Sequence, residues 1–184
     1  MSPNPYAPPA AAVADIPIAA AREGSTPFFA VSLPKLAVLS VCSFGFYEVY
    51  WFYKNWRLIQ AHERSAILPV ARAIFAVFYC YACFARIRDK GNELGVKPPL
   101  AAGWLAAGWI LATVVWKLPD PYWLVTLLAF AFLLPVQAHA NRINQASAGD
   151  HDRNTRFSGW NWLLALAGGG FLALAIVGTL MPQA

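Results

Sequence analysis

The sequence predicts an all-α integral membrane bundle of about five transmembrane helices, and three observations predict it. Five apolar runs each approach the roughly 20 residues needed to cross a hydrocarbon core about 30 Å thick. The 184 residues are 59% hydrophobic and 12% charged, against roughly 45–50% and about 25% in soluble domains. Nine acids and fourteen bases are too few to coat a water-exposed surface around that much apolar bulk. Aromatic residues gather at the ends of the runs, where amphipathic rings prefer headgroup depth.

Residues 1–27 read as a disordered Pro/Ala-rich tail, with Pro3, Pro5, Pro8, Pro9, Pro17 and Pro27 among alanines. Proline at that density prevents a continuous helix, and little apolar bulk is present to offset ordering entropy. No basic stretch precedes an unbroken apolar core, so a secretory leader is not expected. Residues 28–184 form the predicted membrane domain, with spans at about 36–53, 66–85, 99–116, 121–138 and 162–181. Only Glu48 interrupts the first and Arg72 the second, while the other three carry no charge. The third and fourth are separated by the tight Lys117-Leu118-Pro119-Asp120 turn. Gly45 and Glu48 leave the first run able to form a re-entrant or interfacial helix, which brings the tail and first loop to one side.

In the five-span arrangement, nine bases (Arg22, Lys35, Arg86, Arg88, Lys90, Lys97, Arg142, Arg153 and Arg156) share a side, against Lys54, Arg57, Arg64 and Lys117 opposite. The positive-inside bias then sets the N-terminus in the cytoplasm and the C-terminus outside, in the periplasm if the host is bacterial. The net charge of +5 is spread beside apolar runs and not clustered on one folded face, so it predicts lipid as partner and no nucleic acid. Cys42, Cys80 and Cys83 lie in apolar stretches. Cys80 and Cys83 match C-x-x-C, but a hydrophobic helix disfavours the thiolate that redox or metal chemistry requires, and the plainer reading is two small core fillers.

Ionisable groups inside spans are functional candidates by default. Glu48 lies five residues before the end of the first run and Arg72 six after the start of the second, so both sit about 8–9 Å from one surface at 1.5 Å per residue. They form a candidate intramembrane polar pair, read either as a proton- or substrate-linked site or as a clasp or two snorkelling side chains. The fourth run ends in a polar helix end containing Gln137, His139, Asn141 and Arg142. There Gln137, Asn141, Asn144 and Gln145 share a stripe at i, i+3 and i+4 spacing. A solvated helix end explains it, and His139, off that stripe and with no second ligand a turn away, makes no metal site. Small residues four apart, such as Gly103 and Ala107, Gly108 and Ala112, or Ala165, Gly169 and Ala173, allow close helix approach within the chain or between copies. Trp104 and Trp109 read as core residues. No nucleotide loop, H-E-x-x-H or G-x-S-x-G occurs, so neither an enzyme nor a cofactor is expected.

The run Ser43-Phe44-Gly45-Phe46-Tyr47-Glu48-Val49-Tyr50-Trp51-Phe52-Tyr53-Lys54-Asn55-Trp56 resembles the signature of small bacterial multi-pass membrane proteins defined by a domain of unknown function. That pattern is Gly, an aromatic, then Tyr-Trp-x-Tyr and a following Trp, and it covers about 14 of the 184 residues. The resemblance implies a bacterial inner-membrane setting and a helical bundle, with no activity to transfer. Physically the motif reads as an interfacial collar, with Trp51, Tyr53, Lys54, Trp56 and Arg57 as anchors. The expected role is a non-enzymatic structural, interaction or accessory subunit that meets lipid, further copies or other membrane proteins. The alternative is a small transporter or channel component using Glu48 and Arg72.

Overall fold

The computed structural model describes residues 26–181, so most of the predicted tail, Arg22 included, lies outside the described residues. Those residues form seven α-helices and no strand. They are α1 (Leu33–Cys42), α2 (Phe46–Glu63), α3 (Pro69–Ile74), α4 (Ala76–Glu93), α5 (Ala102–Val114), α6 (Phe130–Ser147) and α7 (Gly159–Leu180). Two stretches are long and apolar enough to cross a membrane: Tyr122–Ser147, in which a 3-10 segment (Tyr122–Leu128) leads into α6, and α7. Leu33–Cys42 and Ala102–Lys117 are apolar but shorter.

The first two expected spans are each broken. The run at 36–53 is α1, a reversal at 43–45, and the start of α2. Phe44 and Gly45 adopt positive φ of 54° and 85° in succession, a left-handed pair that turns the chain back on itself. Ser43 Oγ then accepts from the Tyr47 amide at 2.8 Å, and Gly45 N donates to Ser40 O at 2.9 Å. Lys35 near the start of α1 therefore shares a cavity with Tyr47 and Tyr50 of α2. The run at 66–85 is α3 and α4, parted at Phe75. Pro69 opens α3, where its missing N–H costs nothing. From the α2 end, marked by Gln60 Nε2 donating to Ile67 O at 2.8 Å, α3 runs antiparallel to α2 until Ile74 lies beside Phe46. Helix α4 then climbs back parallel to α2, so that Arg86 meets Glu63 at 2.8 Å. At ten and six residues, α1 and α3 reach only about 15 and 9 Å.

Both hairpins return to the end from which they start. Arg142 Nη1 donates to Lys97 O, His62 approaches Thr26 O at 3.4 Å, and Lys35 Nζ reaches Asn154 Oδ1 at 2.7 Å. These contacts gather the ends of α2, α4 and α6 with the starts of α1, α5 and α7. Of the thirteen described Lys and Arg residues, Lys117 sits at the far end, Arg72 on short α3 and Lys54 midway along α2; the other ten belong to the near end. Arg57 and Arg64 thus join the bases they were expected to oppose.

An aromatic core holds the two hairpins to α5. Phe52 stacks on Phe84 at 6.0 Å and meets Trp51 and Trp109 edge-on at 5.1 and 4.9 Å. Trp51 and Trp56 are fully buried, which corrects their reading as interfacial anchors. On α2 the inward stripe is Trp51, Phe52, Asn55, Trp56 and Ile59, and at helical spacing the outward face falls to Tyr53, Lys54 and Arg57. The Arg57 guanidinium lies 5.8 Å from the Tyr53 ring and the Lys54 ammonium 5.7 Å from Phe29; Arg57 is exposed, while Tyr53 and Lys54 are half-buried. Trp109 is core as expected, whereas Trp104 is 84% exposed. Cys80 and Cys83 are buried, free thiols within this core.

Candidate functional site

Glu48 and Arg72 are not brought together. Glu48 stands in the first turn of α2 and is 4% exposed. Its Oε2 accepts from Trp109 Nε1 at 2.6 Å. The positive end of the α2 dipole favours a carboxylate there. No ammonium or guanidinium among the described residues lies within 4.0 Å of it. Arg72 instead lays its guanidinium over Trp56 at 4.5 Å and Tyr79 at 5.2 Å, with Arg86 also over Trp56 at 5.3 Å. The depth argument placed both groups near one surface, but α2 continues to Glu63, so Glu48 marks the bottom of the hairpin and Arg72 turns toward the basic end. With no shared partner, Glu48→Gln and Arg72→Met are expected to change stability additively, within about 0.5 kcal/mol. Thermal melts of the two singles and the double check this, and a strong rescue in the double restores the pair.

What Glu48 does face is a cavity of about 560 Å³ where the tips of both hairpins meet α5 and the 3-10 segment before α6. Phe44, Phe46, Trp109, Trp116 and Trp123 contribute aromatic walls. Thr113, which also lines the cavity, has a buried hydroxyl with no hydrogen-bond partner, while Thr126 Oγ1 donates to Ala112 O at 3.0 Å. A largely apolar cavity with one carboxyl group and one free hydroxyl has room for a small molecule, and aromatic faces beside a carboxylate favour positive charge.

The polar end of α6 is a second constellation, and its reading as a solvated helix end is overturned. Gln137, His139 and Asn144 are buried, because residues 28–31, in neither helix nor strand, cross this stripe and lie buried themselves. Asn144 closes a two-bond ring on Phe28, accepting from its N–H at 3.1 Å and donating to its C=O at 2.8 Å. Gln137 Nε2 donates to Phe29 O at 2.9 Å and to Asn141 Oδ1 at 2.7 Å, while its Oε1 accepts from Trp51 Nε1. Asn141 donates to Val31 O at 2.9 Å, Asn154 to Ala30 O at 3.0 Å, and Asn55 accepts from Phe29 N at 3.1 Å. Side-chain amides thus supply the hydrogen-bond partners that this buried, non-helical backbone needs. Arg142 stays exposed. His139 packs against Gly91 where any Cβ would collide with its ring, and its Nε2 has no partner. Sequence spacing found the amide stripe but not its occupant; the signal was Phe28-Phe29-Ala30-Val31, an apolar run outside any helix and in need of backbone partners.

No protein-family model, curated protein or solved structure matches the chain.

Proposed function

We propose that the chain is a non-enzymatic, multi-pass protein of a bacterial inner membrane that binds a small lipophilic cation in the Glu48 cavity, as a carrier or as an accessory of a transport process. One observation carries the reading: a buried carboxylate in an aromatic cavity whose expected counter-ion, Arg72, is engaged elsewhere. A ligand bringing its own positive charge supplies the missing partner, and the Trp109 N–H holds the carboxylate in place. The test is binding of tetraphenylphosphonium to the detergent-purified protein, followed by tryptophan fluorescence. Glu48→Gln is expected to weaken binding at least tenfold, about 1.4 kcal/mol, with the melting temperature kept. Equal affinity in the variant sinks the proposal.

For the membrane arrangement we infer two re-entrant hairpins, α1–α2 and α3–α4, followed by three passes through α5, α6 and α7. The concentration of bases at one end supports placing that end in the cytoplasm, with the C-terminus outside. In a chain with Cys42, Cys80 and Cys83 changed to Ala, the exposed positions Ala61→Cys and Asp150→Cys are expected to label from the same side of sealed vesicles. A simple five-span bundle instead puts them on opposite sides.

A structural or interaction role is favoured by a separate observation. Helix α7 rests chiefly on α1 and leaves Trp160, Leu166, Phe171 and Leu174 exposed, a surface suited to lipid, another membrane protein or a second copy.

A further inference from the structure

Between α1, the first half of α2 and the start of α7 lies a cavity of about 550 Å³ that reaches from the basic start of α7 to the hairpin reversal at Ser43, separate from the one around Glu48. Its lining includes Lys35, Tyr47, Tyr50, Arg156, Ser158 and Leu164. Lys35 is 4% exposed, yet its ammonium is met only by neutral oxygens: Asn154 Oδ1 at 2.7 Å and Arg156 O at 2.8 Å. With its amide turned so that the oxygen faces Lys35, Asn161 supplies a third at 3.0 Å. The hydrogen bonding of the ammonium is complete and its charge is not. Asp152 acts on it from longer range, with one carboxylate oxygen turned to the Asn154 N–H at 2.8 Å. No carboxylate among the described residues lies within 4.0 Å of Lys35.

Three more groups converge there. Tyr47 is 9% exposed and lines the cavity, and its hydroxyl has no hydrogen-bond partner among the described residues. The Arg156 side chain is exposed at the rim and likewise makes no hydrogen bond with the described residues. Ser158 caps the 22-residue α7 by accepting from Asn161 N at 3.3 Å, and with the Asn161 amide turned its own O–H donates to the Asn161 oxygen at 3.3 Å, which leaves the positive start of the helix facing the cavity. Two cations, the Tyr47 hydroxyl and the positive end of a helix dipole make a site for one compact anion with several acceptor oxygens.

From these groups we infer that this cavity holds the phosphodiester headgroup of an anionic phospholipid, wedged between α2 and α7. A phosphate group satisfies the charge and the donors alike. Phe46 and Leu164 continue the cavity as apolar wall, which suits acyl chains and not a free ion. The contacts of α7 with the body include Gly168 against Cys42 and the Phe44 ring against Phe171 at 5.6 Å, so a lipid here also fastens the start of α7. Basic pockets between helices at the cytoplasmic headgroup level bind anionic lipids on general electrostatic grounds. The inference rests on the membrane setting proposed above and not on the Glu48 cavity.

The experiment measures the melting temperature of protein purified in neutral detergent until free of phosphorus. Dioleoylphosphatidylglycerol, dioleoylphosphatidylcholine or inorganic phosphate is then added. Phosphatidylglycerol is expected to raise the midpoint by about 5–10 °C, and the other two to leave it unchanged. Arg156→Gln and Tyr47→Phe, which keep the buried Lys35 in place, are each expected to cut that rise by half or more. Lys35→Met is expected to abolish it in whatever fraction folds. Glu48→Gln keeps the full rise, so failure of the cation-binding proposal leaves this one standing. An equal rise with phosphatidylcholine, or an unchanged response in both Arg156→Gln and Tyr47→Phe, overturns the inference. Inorganic phosphate matching the lipid overturns the lipid as its source.

Discussion

Gln137→Leu is expected to destabilise the protein by about 2–5 kcal/mol, although the two side chains are close in volume. Gln137 serves three groups at once: its amide nitrogen donates to Phe29 O and Asn141 Oδ1, and its oxygen accepts from Trp51 Nε1. Leucine orphans the indole N–H and the Phe29 carbonyl, and Trp51 and Phe29 are both buried. Each buried group left unpaired costs about 1–3 kcal/mol. The apolar gain of leucine offsets part of this but supplies no donor or acceptor. Arg142→Gln, on the exposed side of the same helix, is the control and is expected to shift stability by less than about 0.5 kcal/mol. Thermal melts of both variants in detergent decide between an amide rack and a helix end bathed in water, for which the two substitutions cost equally little.

The contrast between those residues shows which features of the fold could be read from the chain. Apolar runs at 99–116, 121–138 and 162–181 correspond to α5, to the Tyr122–Ser147 stretch and to α7, because an uncharged run of that length has few ways to satisfy its backbone other than as helix. Reversal at 43–45 was present only as the re-entrant option that Gly45 and Glu48 left open. The second left-handed residue is Phe44, a type that seldom adopts positive φ, and tertiary packing of its ring against Phe171 accompanies it. Glu48 stood out because a charge in an apolar run must be accommodated. Its partner was misassigned because depth was reckoned from run ends at 53 and 66, whereas α2 goes on to Glu63 and carries Lys54, Asn55, Arg57 and Gln60 outside the apolar run. Trp51 and Trp56 were placed at an interface by composition, while their i, i+5 positions on the inward stripe decide their burial. Asn144 and Gln137 were correctly grouped, but their occupant lies more than 100 residues away in sequence, at separations of 116 and 108, where no local pattern reports it.

Close approach of helices yields the other large effect, because the contact of α7 with α1 depends on a missing side chain. A Cβ added at Gly168 collides with the carbonyl oxygen of Cys42, a backbone atom that cannot swing aside. Gly168→Val is therefore expected to cost about 1–3 kcal/mol or more through overpacking, with α7 forced off α1. Gly170→Val, two residues along the same helix, meets nothing within 4 Å and is expected to be neutral or slightly stabilising, since valine forms helix better than glycine. The adjacent Gly169 offers a direct readout, because a Cβ there stands 3.5 Å from Cys42 Sγ. A Gly169→Cys chain is expected to form an oxidative crosslink to Cys42. That crosslink should persist when Gly170→Val is added and disappear with Gly168→Val. Retention in both leaves the helices free to accommodate valine and removes the close-packed seam as the reason α7 lies where it does.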